Sequence, residues 1–435
     1  MKSNIKIKIN ELGPIKNAEI SFAPLMIFTG NSSLGKSYIN YIIYYLTSSL
    51  TEKRGLLDEL VAEKMKTAQE QTFYITLEEI CQQLTKGCPD FMRDFLGDPS
   101  LTCDIEFHLE STDKLPDGKL KVKMEEITEE MKKKFFYQDI HAKDMLSLTI
   151  NDRGTYFFIP NRSKEESIAY RIQQHVQRYF WERQIQKSII LPPARGSFVG
   201  ENFSFKEKIA TSAGMYSLFL NDYDFGLRKP PFTIKKDKQN IFFQEQIKQL
   251  TGGDLISEKG IQYLVLETGH KLPLTAAASS IRELSPLLFY IKNWGDYKLS
   301  ICIEEPEAHL HPEMQVAVAD LLATCINKKM FVQLTTHSDY FLQRMNQLLK
   351  LGKIKELDNS SFTKIAEEKK QHVYLNRDDI HAYYFYVDKN KNIQIQPMPI
   401  NEDGIPFSSF FKTVKDLSNE DEYINNHLSL LEGEA

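Results

Sequence analysis

The stretch IFTGNSSLGKSYIN, Ile27 to Asn40, sets Gly30, Gly35, Lys36 and Ser37 at the spacing G-x-x-x-x-G-K-S directly after an apolar run. Glycines there let successive backbone N–H groups turn inward, and a helix starting at Lys36 adds the partial positive charge of its N-terminus. The loop Gly30, Asn31, Ser32, Ser33, Leu34, Gly35, Lys36 and Ser37 is thus suited to a triphosphate. Lys36 would reach the β- and γ-phosphates, and the Ser37 hydroxyl would ligate Mg2+. A second group lies in LSICIEEPEAHLHPEMQ, where an apolar strand ends in Glu304 and Glu305. Strand ends of that kind are where α/β sheets bind ligands. Glu304 would help hold Mg2+ and its water shell, and Glu305 would polarise the attacking water as general base. The third piece, QLTTHS, carries His337 to the same edge, where a neutral imidazole can hydrogen-bond the γ-phosphate.

Each piece has a plainer reading: a turn with a lysine in it, two glutamates that end a strand and cap the next helix, a structural histidine. Their joint occurrence favours nucleotide chemistry. Two histidines, His309 and His311, follow the glutamates and raise zinc as an option, but H-x-H before proline lacks the i, i+4 helical spacing of H-E-x-x-H.

The elements that would position these groups are legible. Ile5, Ile7 and Ile9 alternate with polar residues, as in a strand with one wet face, and Ala18 to Phe22 reads as a second strand. LMIFT is short and wholly apolar, the signature of a parallel strand buried on both faces. KSYINYIIYYLTSSL has no breaker and reads as a buried helix. CDIEFHLE and KLKVKM read as a hairpin turning at Asp117-Gly118, LSLTI and TYFFI as another, and Ser163 with Glu166 as a capping box for a helix running toward Trp181. Strands alternating with helices in the last third predict a mostly parallel sheet.

Composition narrows the class. The 435 residues carry a formal charge of -5, so any nucleic-acid surface must be local. Five cysteines in no regular framework point to a reducing compartment. No apolar run approaches the roughly 18 to 20 residues of a membrane span, which predicts a cytoplasmic protein without a membrane partner.

The segments INELGPIKNAEISFAPLMIFTGNSSLGKS, LTAAASSIREL, IEEPEAHLHPEMQ and TTHSDYFLQRMNQL resemble, in order and wording, the ABC-class AAA-type ATPases. That group has RecF- and SMC-like heads and includes the ATPase part of OLD-family nucleases and the ATPases of anti-phage systems such as Septu. The resemblance implies an α/β P-loop ABC-type ATPase head, split over 1–50 and 185–350, with ATP and Mg2+ as ligands. An antiparallel β and helical lobe would be inserted at 51–184, and 351–435 would extend the head. It further implies a homodimer with ATP between two heads, the P-loop of one facing signature serines of the other. Ser279 and Ser280 are the candidates, although the family carries a glycine where alignment on REL puts Ser280. Glu307, His309 and His311 would line the dimer seam. Arg195, in ILPPARGSF, would approach phosphate or the partner subunit, or be a surface turn charge. OLD-type proteins carry a Toprim nuclease after the head; no D-x-D on an apolar strand follows TTHS, so this chain is not expected to be a nuclease.

The leading expectation is an ATP-hydrolysing dimeric head that gates a separate effector, a nuclease or toxin, in anti-phage defence. The alternative is a DNA-repair or chromosome-maintenance clamp that grips duplex DNA, for which Lys114, Lys119, Lys121, Lys123 and Lys132 to Lys134 would supply phosphate contacts, although Glu125, Glu126, Glu129 and Glu130 interleave. A transporter ATPase subunit is disfavoured by the missing standard signature.

Overall fold

The apolar run Leu25–Gly30 forms the strand that carries the phosphate loop, and it lies inside a nine-stranded sheet. The computed structural model describes residues 4–51, 55–126, 145–151, 153–158, 163–180, 185–199, 214–227, 238–295, 297–369, 372–406, 415–425 and 427. The sheet runs Cys103–Leu109, Ile5–Leu12, Ile15–Ser21, Ile393–Met398, Ile380–Val387, Leu25–Gly30, Phe331–Thr335, Leu299–Glu304, Lys187–Leu191. From Ile380–Val387 onward every neighbouring pair is parallel. The strands before it form antiparallel pairs, apart from a parallel contact between Ile15–Ser21 and Ile393–Met398.

Patterning explains the division. Phe331–Thr335 and Leu299–Glu304 are buried at every position, as strands covered on both faces must be. Ile5–Leu12 instead buries Ile5, Ile7 and Ile9 and leaves Lys8 exposed. The helix Lys36–Thr51 is buried along almost its whole length, its small polar residues Thr47, Ser48, Ser49 and Thr51 included. It packs on the strands Lys187–Leu191, Leu299–Glu304 and Phe331–Thr335 and beneath the helices Leu77–Leu96 and Lys164–Phe180.

Two features differ from the sequence reading. Cys103–Leu109 and Lys119–Glu126 do not form a hairpin with each other. Cys103–Leu109 pairs with Ile5–Leu12 in the main sheet, whereas Lys119–Glu126 pairs with Thr72–Thr76 and Met145–Ile150 in a separate four-stranded sheet. Alternation sets which face of a strand is buried but not which strand lies beside it. A C-terminal hairpin, Ile380–Val387 with Ile393–Met398, inserts between the phosphate-loop strand and the N-terminal hairpin. The second expected hairpin, Met145–Ile150 with Arg153–Phe158, is present. Ser163 Oγ accepts the Glu166 N–H at 3.1 Å at the start of Lys164–Phe180. Trp181, Lys132 to Lys134, Glu129 and Glu130 lie outside the described residues. No helix of the described residues is long and apolar enough to cross a membrane.

Candidate nucleotide site

Three adjacent parallel strands end at one edge and bring the motifs together: Leu25–Gly30, Phe331–Thr335 and Leu299–Glu304. Gly30 is obligatory for a local reason. It sits at φ 125, and a Cβ there would stand 2.1 Å from the Phe385 carbonyl oxygen of the neighbouring strand. That oxygen accepts the Asn31 N–H at 3.2 Å, so the C-terminal hairpin supports the loop from beneath. Ser33 at φ 61 and Gly35 at φ 81 are also left-handed, the backbone alternation that turns N–H groups into an anion-binding concavity. Asn31, Ser32 and Ser33 are exposed, while Leu34 packs into the core.

Lys36 is 6% exposed and folds its Nζ back onto the carbonyls of Asn31, at 2.7 Å, and Gly30, at 3.3 Å. Burial lowers its pKa, and the carboxylates of Glu305 and Glu304 oppose that. Behind it lies a polar cluster around Glu304. The Ser37 hydroxyl donates to Glu304 Oε2 at 2.7 Å, Thr335 donates to the same oxygen at 2.7 Å, and Asn40 Nδ2 donates to Oε1 at 2.8 Å. Asn40 Oδ1 is buried without a hydrogen-bond partner. This all-oxygen set of hydroxyl, carboxylate and orphaned amide oxygen fits a hard divalent cation such as Mg2+, whose charge would offset the burial of the carboxylate.

Glu305 continues the strand end but is exposed. Its backbone is held at φ 42 by its N–H, which donates to the Thr335 carbonyl at 3.1 Å and to the Thr335 hydroxyl at 3.2 Å. His337 Nε2 lies 4.0 Å from Glu305 Oε1. Burial, and then the charge of Lys36, lower the His337 pKa and keep its imidazole neutral. The His337 N–H and the Thr336 hydroxyl both donate to Glu307 Oε1 at 2.7 Å, so Glu307 is a half-buried clasp beneath the histidine. Burial raises its pKa.

Residues 201–342 match the family described as AAA ATPase domain. This match supports an AAA-type ATPase. The matched segment holds Glu304, Glu305, His337 and the serines Ser279 and Ser280, and the fold closes the phosphate loop onto it from the N-terminal part of the chain. Among solved structures, the ATPase is similar to the SMC head domain from Thermotoga maritima, at 11% identity and a TM-score of 0.35 over 91% of this chain and 98% of that one. It is also similar to an SMC head bound to the C-terminal winged-helix domain of ScpA, at 11% identity and a TM-score of 0.40 over 91% and 98%. A third likeness is to an SMC head with an extended coiled coil bound to the C-terminal domain of ScpA from Pyrococcus furiosus, at 12% identity and a TM-score of 0.37 over 96% and 98%. No curated protein matches the sequence.

The remaining residues of the ATPase divide sharply. Ser279 and Ser280 open the helix Ser279–Trp294 after the short turn Leu274–Ala276. Among the described residues no hydrogen bond joins either serine to Lys36, Ser37 or Glu304 of the same chain. His309 and His311 are exposed beside the site, His309 at φ 61 and His311 as the cap residue of Pro312–Asn327. Arg195 corrects an expectation. It reaches neither solvent nor the phosphate loop; it is 0% exposed, and its Nη1 donates to the Glu304 carbonyl at 2.7 Å. A guanidinium has five donors and can satisfy several inward-facing carbonyls at once, which explains why an arginine after two prolines points inward. Asn40, Thr335 and Glu307 were not singled out from the sequence as holding the site together. A polar Asn40 inside INYIIYYL, one turn after Lys36, was the available signal.

Burial raises the Glu304 pKa above its ordinary 4.5, against hydrogen bonds from Asn40, Ser37 and Thr335 that lower it. Between 4.5 and the raised value the folded chain keeps a proton that the unfolded chain has released. The stability from this group is therefore full at low pH and is lost as pH rises through the raised value. Glu304→Gln removes that loss. Without nucleotide, the variant is expected to melt above the parent at neutral pH, by on the order of 2 °C per kcal/mol recovered, with the gap closing toward about pH 4. Thermal scans of both proteins across that range check the sign; a gap independent of pH would refute the assignment.

Proposed function

We propose that the ATPase works as a homodimer that holds ATP between two heads and uses the cycle of binding and hydrolysis to gate a separate effector. The observation that carries this reading is the 2.7 Å hydrogen bond between Ser37 and Glu304, which closes the phosphate loop on the acidic strand end. In this reading Lys36 leaves the loop carbonyls for the β- and γ-phosphates, while the N–H groups of Ser32 to Gly35 surround the phosphate chain and Asn31 keeps its own on the Phe385 carbonyl. Ser37 and Glu304 hold Mg2+, which when bound neutralises charge on the phosphate oxygens. Glu305 takes the proton of the attacking water, and neutral His337 donates to the γ-phosphate. The left-handed backbone of Glu305, a conformation costing about 1–3 kcal/mol in a non-glycine residue, supports that role, because strain of this kind persists where it aims a side chain.

Among the described residues nothing covers the exposed Asn31, Ser32 and Ser33 or the exposed Ser279. A second head presenting Ser279 and Ser280 would provide it. The effector, a nuclease or toxin acting against phage, follows from the resemblance to Septu-type and OLD-type ATPases. The test is light scattering of the whole chain. With ATP and Mg2+ the mass is expected to double and to fall back as ATP is consumed; a mass unchanged at saturating ATP would overturn the dimer.

A second reading, a clamp on duplex DNA, draws on the four-stranded sheet. Lys119, Lys121 and Lys123 stand opposite Thr76, Tyr74 and Thr72 and alternate with buried Leu120, Val122 and Met124. They share one wet face with Tyr74, which is 51% exposed. Lys123 is already paired with Glu125, which weakens the case. Affinity for DNA that falls steeply with salt would favour this reading.

A further inference from the structure

Arg195 spans two elements that belong to opposite ends of the proposed cycle. Its Nη1 donates to the carbonyls of Glu304, at 2.7 Å, and Pro192, at 3.1 Å, and its Nε donates to the carbonyl of Glu283 at 3.0 Å. The guanidinium also faces the Glu283 carboxylate, 3.5 Å from Oε1. Glu283 Oε2 in turn accepts the Gly196 N–H at 2.8 Å. The contact is close enough to exclude any side chain at 196, where a Cβ would stand 2.5 Å from that oxygen. Glu283 lies one turn into the helix Ser279–Trp294, on the face that carries Ser279 and Ser280. A planar fork with five donors can bridge three carbonyls and a carboxylate, whereas the single ammonium of a lysine has only three donors at one point.

Three buried atoms at this bridge are left over. Among the described residues Arg195 Nη2, Glu283 Oε1 and Glu307 Oε2 have no hydrogen-bond partner. Leaving such groups unmade costs about 1–3 kcal/mol each, so a bridge serving stability alone would have satisfied them. They give the fork another set of bonds to adopt when its neighbours move.

We propose that Arg195 is a positioning residue that couples the Ser279–Ser280 helix start to the Glu304–Glu305 strand end, so that hydrolysis in one head depends on engagement with the other. The inference rests on the dimeric reading above. When the helix start is engaged across the seam, its displacement is transmitted through Glu283 and Arg195 to the Glu304 carbonyl. The next residue is Glu305, and its aim changes with that carbonyl.

The test uses Arg195→Lys and Glu283→Gln in the full chain, with melting temperatures recorded separately. ATP affinity is expected to stay within about threefold of the parent while kcat falls by about 10- to 100-fold. The rise of specific activity with protein concentration is expected to flatten. A folded variant with parental kcat would overturn the proposal. So would a lost kcat with parental concentration dependence, the mark of a local packing defect. If Arg195→Lys does not fold, Glu283→Gln decides by the same criteria, since its amide oxygen still accepts the Gly196 N–H. Lys36→Ala and Glu305→Gln run beside them as controls. Parental hydrolysis in those two would refute the nucleotide-site reading, whereas their loss with unaffected Arg195 and Glu283 variants would refute the coupling alone.

Discussion

Glu305→Gln is expected to lower ATP hydrolysis by about 10² or more, the usual weight of a positioned base, while leaving ATP binding intact. The side chain is 48% exposed and stands 4.0 Å from the neutral His337, so the fold does not depend on it. The amide keeps volume and hydrogen bonding but cannot accept the proton. Unhydrolysed ATP would then hold two heads together, and the variant should run as a stable dimer in ATP and Mg2+. Glu304→Gln should behave differently, because its carboxylate touches Ser37 and the proposed metal position. Phosphate release measured beside light scattering separates the two. If Glu305→Gln hydrolyses ATP at the parental rate, the base and the trapped dimer both fail.

Lys36→Ala is expected to abolish measurable ATP binding. The lysine is the only basic side chain within the loop, and it is almost fully enclosed. Losing one partner of a buried charge pair costs about 2–5 kcal/mol, which is roughly 30-fold to several thousand-fold in affinity. Folding should survive, since alanine suits a helix start and the freed Asn31 carbonyl belongs to an exposed loop residue. Calorimetric titration with ATP gives the answer directly; unchanged affinity would remove the loop from nucleotide binding.

The parts of the site legible in the sequence are those whose chemistry and geometry lie close together along the chain. The phosphate loop needs only a strand, a few turn residues and a helix start, all within Leu25 to Thr51. Glu304 and Glu305 announce themselves at the end of the mostly apolar LSICI, and His337 by following the strand FVQLT. What escaped notice is long-range. Arg195 resembles any arginine in a proline turn until Glu304 and Glu283 are seen around it. The placement of Cys103–Leu109 escaped for the same reason, since its alternation matches several partners equally well. Thr335 and Glu307 act by hydrogen-bonding residues that themselves make the contacts, and no short pattern encodes that.

The position of the C-terminal hairpin also governs when the molecule becomes competent. Ser21 and Tyr383, which bond across the sheet, are 362 positions apart, and Phe385 lies against Gly30. At about 5–20 residues per second a ribosome needs roughly 20 to 70 s to deliver the second after the first. Throughout that interval the phosphate loop lacks the floor on which Gly30 and Asn31 rest, and the strand beneath it keeps an open edge. A nascent chain therefore emerges as a protein that cannot yet load fuel, and one whose sticky middle strand needs shielding until its last neighbour arrives. Competence for nucleotide waits on the hairpin of Ile380–Val387 and Ile393–Met398 and arrives with it as a single event.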